Sequence, residues 1–424
     1  MILCNQIIPR RDTMFKWIFA FTLILGMDAH AHAEYALDLT WMKVKASTKE
    51  DRTKITNTGA VIESIQDDYV TVLAKPDEKI LLEKMNIVEV SFGFTQDMLD
   101  FPAKDSKFHN FQEMIEAINV LKNKNKDIVH IESIGKSIEG RDILNIKLAA
   151  NPDNELSQPA IVFMGTHHAR EHLATEVPLL LAQYLVDEYN NGNESIRRLL
   201  ETRIVHIIPM VNPDGVEWDI STGSYKMWRK NRVRNSNGTY GVDLNRNYGY
   251  GWGGEGASSN PSSDTYRGTA PFSEPETSAI KKFVEDRPNI TTLLSFHTFS
   301  KLILYPWGHK HEAIQNEADR KVHEVMARTM AKWNGYKPQP ASDLYLASGD
   351  TTDWAYGEHK IISFTFELDP SSMWEGGFYP GQNMIDPVFK KNIQPSLYLI
   401  ENTDNPYKVL EPTHVKLGFH SPIF

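Results

Sequence analysis

Residues 165–173 read Gly-Thr-His-His-Ala-Arg-Glu-His-Leu and follow the apolar run 160–164, which has the composition of a buried strand. His168, Arg170 and Glu171 therefore share one short turn at a strand end. A His and a Glu three positions apart in such a turn can both reach one metal ion. His297, in Ser295-Phe296-His297, closes a second apolar run, 290–294, and offers a third ligand. Two His and one Glu around zinc, with a fourth position left for water, make a hydrolytic site. A His-x-x-Glu pair alone is a weak signal, because chance produces it in surface turns.

Other polar groups strengthen the pattern. Glu367 closes the apolar run 363–368, where a carboxylate is costly without a partner. Beside a zinc-bound water it could take the proton and pass it to a leaving amine; its plain alternative is a strand-end residue facing solvent. Asp243, in Gly241-Val242-Asp243-Leu244-Asn245-Arg246-Asn247, could accept from a zinc-bound imidazole or be a solvated turn carboxylate. Of Arg229 and Arg246, one could stabilise an oxyanion and the other hold a carboxylate, unless both are ordinary surface charge. A rival zinc pair, His168 with His172, needs helix from His168 onward and lacks the Glu that follows the first His in helical zinc proteases. His167 should point away from His168 and pack. Gly135-Lys136-Ser137 is not a phosphate loop, because His130 stands where the first Gly belongs.

These residues need a scaffold. A chain of 424 residues allows one large domain plus something smaller. Hydrophobic residues at 41% and charged residues at 24% suit a globular protein, and a net charge of −10 without a Lys/Arg block argues against nucleic acid as a partner. Arg10, Arg11 and Lys16 precede the apolar stretch 17–27, which is too short to span a bilayer, and Ala31-His32-Ala33 is a small-x-small cleavage site. Residues 1–33 are thus expected to be a signal peptide of a secreted or periplasmic, bacterial protein, with Met14 a possible true start and a membrane anchor the alternative. No other stretch is apolar and long enough to span. Cys4 lies in that segment, so no disulfide is expected in the mature chain.

Residues 34–96 read as βαββαβ, the order of a ferredoxin-like unit. Residues 97–107 are a polar, Pro-containing linker whose Lys104 and Lys107 a protease could reach. Residues 108–402 alternate helices with apolar strands, which implies an α/β domain with a mixed, mostly parallel doubly wound sheet and helices on both faces. Ligands bind such sheets outside the carboxyl ends of the strands, where His168, Glu171, His297 and Glu367 would all lie. The stretch 212–270 reads as long, structureless and functional, and Ser273-Glu274-Pro275-Glu276 as a capping box. Residues 403–424 are a tail without assignment.

Taken together, the motifs resemble the zinc metallocarboxypeptidases of the carboxypeptidase A/B type, the funnelins of peptidase family M14. The resemblance covers about residues 108–402 and rests on Gly135-Lys136-Ser137 with Glu139-Gly140-Arg141, on 165–171, 228–231, 241–247, 295–300 with Leu304-Tyr305-Pro306, on 348–356 and on 364–368, in the right order. It implies one Zn2+ held by His168, Glu171 and His297, Glu367 as general base and acid, and Arg229 as oxyanion stabiliser. It further implies Asn245, Arg246 and Tyr345 as the clamp on a substrate's terminal carboxylate, Arg170 along the substrate channel and Phe378 bordering the site. Residues 34–96 resemble the family's propeptide, which covers the site until an activating protease cuts. Phe299 stands where the vertebrate pancreatic enzymes have Tyr, and Lys226 replaces a secondary Arg. Thr352 matches neither the A-type nor the B-type pocket, while Asp350 adds a carboxylate, as in the bacterial T-type enzymes that accept hydrophobic and basic C-terminal residues. The expectation is a secreted monomeric zymogen acting on peptide and protein C-termini. The alternatives are a cell-wall peptide carboxypeptidase cutting γ-D-glutamyl–diaminopimelate bonds, or a catalytically dead binding module.

Overall fold

The computed structural model describes residues 40–85, 88–93, 105–220 and 225–411. The expected signal segment, most of the linker and the end of the tail lie outside the described residues. The amino-terminal module runs β1 (Thr40–Lys45), α1 (Lys49–Thr56), β2 (Val61–Ile65), β3 (Tyr69–Ala74), α2 (Pro76–Lys84) and β4 (Val88–Gly93). Its sheet has the order β2-β3-β1-β4 with antiparallel neighbours, the arrangement a βαββαβ unit predicts. A capping box starts α1, where Thr48 Oγ1 accepts from Asp51 N at 3.1 Å. Met42, Val44, Ile55, Val70, Val72 and Leu82 form the module's core.

The body is built on a second sheet of β5 (Val129–Lys136), β6 (Asp142–Leu148), β7 (Ala160–Gly165), β8 (Ile204–Ile208), β9 (Ile290–Thr298), β10 (Leu302–Tyr305), β11 (Lys337–Pro340) and β12 (Ile362–Leu368). The order is β11-β10-β12-β9-β7-β8-β6-β5. The central four, β12-β9-β7-β8, are parallel, so their carboxyl ends share one edge. Around them lie α3 (Phe111–Lys124), α4 (Leu173–Asn190), α5 (Glu194–Thr202), α6 (Pro213–Ile220), α7 (Pro275–Glu285), α8 (Glu317–Asn334), α9 (Thr351–His359) and α10 (Ile385–Asn402).

Both faces of the central strands are covered, which is why β7 reads as an unbroken apolar run. Its Ile161 and Phe163 join the core under α3, α4, α8 and α10, and its Val162 and Met164 the core under α7 and α9. Phe163, Phe296, Phe364 and Phe366 are wholly buried on the first face. Each such side chain contributes roughly 1.5–3 kcal/mol.

Several expectations change. The stretch 212–270 is not structureless: it contains α6 and, beyond it, loops pinned by buried polar residues such as Asn231 and Asn247. α6 opens on Pro213-Asp214-Gly215, residue types that read as a turn, so its composition hides the helix. The nine-residue helices α5 and α9 also lie outside the expected elements. The expected capping box is absent, because the cap of α7 is Glu274 and makes no side-chain cap bond. Glu276 instead accepts from Ile138 N at 3.1 Å and Asn231 Nδ2 at 3.2 Å, so a tertiary partner wins over the local one. The end of the expected linker is tied to the body: buried Asp105 accepts from Gln382 N at 3.0 Å, and Lys107 N donates to Gln382 Oε1 at 3.0 Å. In the tail, Tyr407 OH donates to Asp319 Oδ1 at 2.7 Å.

Gly165 closes β7, and a Cβ there would lie 1.8 Å from Ala174 O. That close approach turns the chain from β7 back onto α4. Gly165→Ala should therefore destabilise the fold by about 2–3 kcal/mol in urea unfolding; an unchanged midpoint would show that the strand and helix are not packed backbone to backbone.

Candidate metal centre and active site

The parallel strands deliver the chemistry to one edge. His168 and Glu171 follow the end of β7, and His297 is the penultimate residue of β9. His168 Nδ1 lies 2.7 Å from Glu171 Oε1, His297 Nδ1 lies 2.9 Å from Glu171 Oε2, and the two ring nitrogens are 3.2 Å apart. Among the described residues this is the one cluster of three such side chains with donor atoms all within 4.8 Å of one another. The backbone N–H of Thr298 donates to Glu171 Oε2 at 3.2 Å and orients the carboxylate.

The donor set fits zinc. Asp243 Oδ1, 3.1 Å from His168 Nε2, takes the hydrogen on that side of the ring, so Nδ1 presents a lone pair to the Glu171 carboxylate. Burial pushes His297 towards its neutral form, against the pull of Glu171. Lone pairs and a carboxylate held this close need a cation between them. His172, the rival ligand, points elsewhere: its Nε2 is 3.0 Å from Asp219 Oδ2. His167 is a packed histidine, with Nε2 2.8 Å from Tyr248 OH and its ring stacked on that of His297.

Asp243 is the hinge of the polar network. Its Oδ2 accepts from Arg229 Nε at 3.0 Å and Nη2 at 2.9 Å, and its Oδ1 from Asn245 N at 2.9 Å. Burial alone would push its carboxyl up, but Arg229, His168 and Arg246 hold it well below the usual carboxylate range. Asn245 Oδ1 accepts from Thr351 N at 3.0 Å. Arg246, buried, donates to Gly256 O and Asn245 O, each at 2.8 Å, and its guanidinium lies 5.9 Å from the Tyr345 ring centre. The sheet register pairs Glu367 of β12 with His297 of β9, which puts both side chains on one face at the same edge.

Asp350 is the cap of α9. Its Oδ1 accepts from Thr352 N at 2.8 Å and Asp353 N at 2.9 Å. Its Oδ2 is buried without a hydrogen-bond partner among the described residues, on the side of Gly308. Burial, and then Asp353, push this carboxyl well above the ordinary range, against Arg246. Thr352 Oγ1 is 2.6 Å from Thr365 Oγ1.

The amino-terminal module sits on this edge. Leu73 packs with Met227, Phe299 and Phe378, and Tyr345 packs against the module's core. Arg170 is wholly buried, with its guanidinium 4.3 Å over the Phe378 ring and Nη1 3.8 Å from Asp264 Oδ2. Lys75 of the module pairs with Asp264 Oδ1 at 2.8 Å. Asp264 escapes the sequence reading, because it lies in a polar loop with no local feature to mark it.

The family model described as zinc carboxypeptidase, Peptidase M14, matches residues 114–395. A zinc carboxypeptidase of Saccharothrix mutabilis subsp. capreolus is 37% identical over 377 residues, 83% of this chain and 86% of that protein. Carboxypeptidase A1 of Sus scrofa is 34% identical over 308 residues, 71% of each chain. The crystal structure of the carboxypeptidase A from Helicoverpa armigera shares the fold, with TM-score 0.74 and 23% identity over 89% of this chain and 98% of that one. This chain belongs to the M14 zinc carboxypeptidase family, and its activity is that of a zinc-dependent metallocarboxypeptidase.

Asp243→Asn keeps the size of the side chain but weakens its hold on His168. Zinc affinity should fall about 10–100-fold in a competition titration with a chromophoric chelator; wild-type affinity would show that Asp243 does not orient the ligand.

Proposed function

We propose that the protein is an exported zymogen whose mature form removes both apolar and basic residues from peptide C-termini. The observation that carries the dual preference is the buried, unpartnered oxygen of Asp350. A terminal Lys or Arg side chain would supply its missing partner. An apolar side chain would meet a carboxyl whose charge burial disfavours, beside Thr352.

Arg246, Asn245 and Tyr345 hold the terminal carboxylate. Their requirement for it explains cleavage at the end of a chain, since a buried charge without a partner costs about 3–5 kcal/mol. His168, Glu171 and His297 would hold a zinc ion, which would supply Lewis acidity towards the carbonyl and the water. Glu367 takes the proton from the attacking water and returns it to the departing amine. Arg229, fixed by Asp243, stabilises the oxyanion. Phe299, in place of Tyr, packs on Phe378 at 5.0 Å between ring centres and contributes no hydroxyl. The module acts as an inhibitory propeptide. Leu73 against Phe299 and Phe378, and Arg52 Nη2 donating to Asp343 O at 2.9 Å, support its hold on the cleft.

Glu367→Gln should retain zinc, as measured by metal analysis, while kcat on a C-terminal peptide falls about 10²–10⁴-fold. Turnover at the wild-type rate in the metal-loaded variant would remove Glu367 from the mechanism.

The pocket predicts a pH signature. Asp350, raised when the pocket is empty, must lose its proton to pair with a cation, so binding a terminal Arg expels a proton and binding Leu does not. Below the raised value, the Arg-to-Leu ratio of kcat/KM should climb with pH by up to about tenfold per unit. In Asp350→Asn the ratio should be flat and about 10–100-fold lower at high pH. A wild-type ratio that does not move with pH would exclude the pairing.

A further inference from the structure

Strand β3 has two faces. Val70, Val72 and Ala74 fill the module's own core, whereas Leu73 and, just past the strand end, Lys75 turn towards the body. Leu73 enters the aromatic cluster of Phe299 and Phe378. Lys75 is only 7% exposed, and its ammonium pairs with Asp264 Oδ1 at 2.8 Å and donates to Ser262 O. The other oxygen of Asp264 lies 3.8 Å from Nη1 of Arg170, the residue before Glu171, which ties it to the turn that carries the metal ligands.

We infer that Asp264 and the carbonyl of Ser262 form a subsite for a cationic side chain on the amino-terminal side of the scissile bond, and that Lys75 occupies it as a built-in stand-in. The inference rests on the carboxypeptidase reading and adds a second specificity determinant, separate from the pocket at Asp350. Three observations support it. A lysine buries its charge only where a carboxylate and further acceptors meet it. Burial pushes the Asp264 carboxyl up, yet Lys75, Arg170 and Lys230 bring it to about 2, so it stays ionised. Lys230 Nζ donates to Pro261 O at 2.9 Å, so it has an acceptor of its own, while Asp264 is met by Lys75 at 2.8 Å and Arg170 at 3.8 Å.

Once the module departs, the same two acceptors face the cleft. A substrate lysine can then replace Lys75, with Glu78 of the module gone as well. Glu78 is held at about 7 by burial against Lys75, and it is lost with the module, so the subsite's charge comes from Asp264.

The test uses the full chain after limited trypsin cleavage, at about pH 8, with peptides of one C-terminal residue. Each carries lysine or its uncharged isostere norleucine at one of the three positions before the scissile bond. At one position lysine should raise kcat/KM about tenfold over norleucine, the size of one hydrogen bond to a charged group. Asp264→Asn should bring that ratio near one, and Asp264→Glu should restore part of it. Because the ratio is internal, a change in overall rate does not affect it. Cleavage with a wild-type ratio of one at all three positions overturns the subsite alone. No cleavage of any peptide overturns the carboxypeptidase reading, and the subsite with it. In the uncut chain Lys75→Met should raise residual activity several-fold, and no rise would refute the role of Lys75 as a stand-in.

Discussion

The site depends on one buried carboxylate. Asp243 accepts from Arg229, from a backbone amide and from the ring of His168, and no water is needed to satisfy it. In a low-dielectric interior an ionised carboxyl survives only with such a complete set of partners. Because the set spans a metal ligand and the residue proposed to stabilise the oxyanion, the two are held at one relative position. The metal centre and the charge that would act beside it are therefore one rigid object.

The sheet is what lets distant segments share that object. Four parallel strands end at one edge, and the alternation along β9 and β12 puts His297 and Glu367 on the same face there. The other residues of those strands, Phe296, Phe364 and Phe366, are spent on the opposite core. Packing on one side of the sheet thus fixes the register that the chemistry on the other side requires. The amino-terminal module uses the same edge. Its β3 keeps alternate residues for its own core and turns Leu73 outward, with Lys75 just past its end on the same side, so the surface that meets the body follows from the strand period.

Much of this was legible in the chain itself. The run before Gly165, the His-x-x-Glu turn and the second apolar run ending in His297 carry their signals locally, through composition and spacing. So does the βαββαβ order, because strand and helix periods are short-range properties. The elements that escaped were short or held from afar. α6 opens on Pro-Asp-Gly, which reads as a turn, and the expected cap at Ser273 gave way because Glu276 found partners on Ile138 and Asn231.

The sequence by itself determined the fold class, the family and the residue types able to bind zinc, since each depends on order along the chain. Only the tertiary structure decided which polar groups meet. That Asp264 faces Lys75, that Asp350 keeps one oxygen buried and unpartnered, and that His172 turns to Asp219 rather than to the metal centre are matters of distance between segments far apart in the chain or of packing around one side chain. Such contacts leave no mark in local composition, because a buried Asp and a surface Asp are the same letter until burial sets what each must pair with.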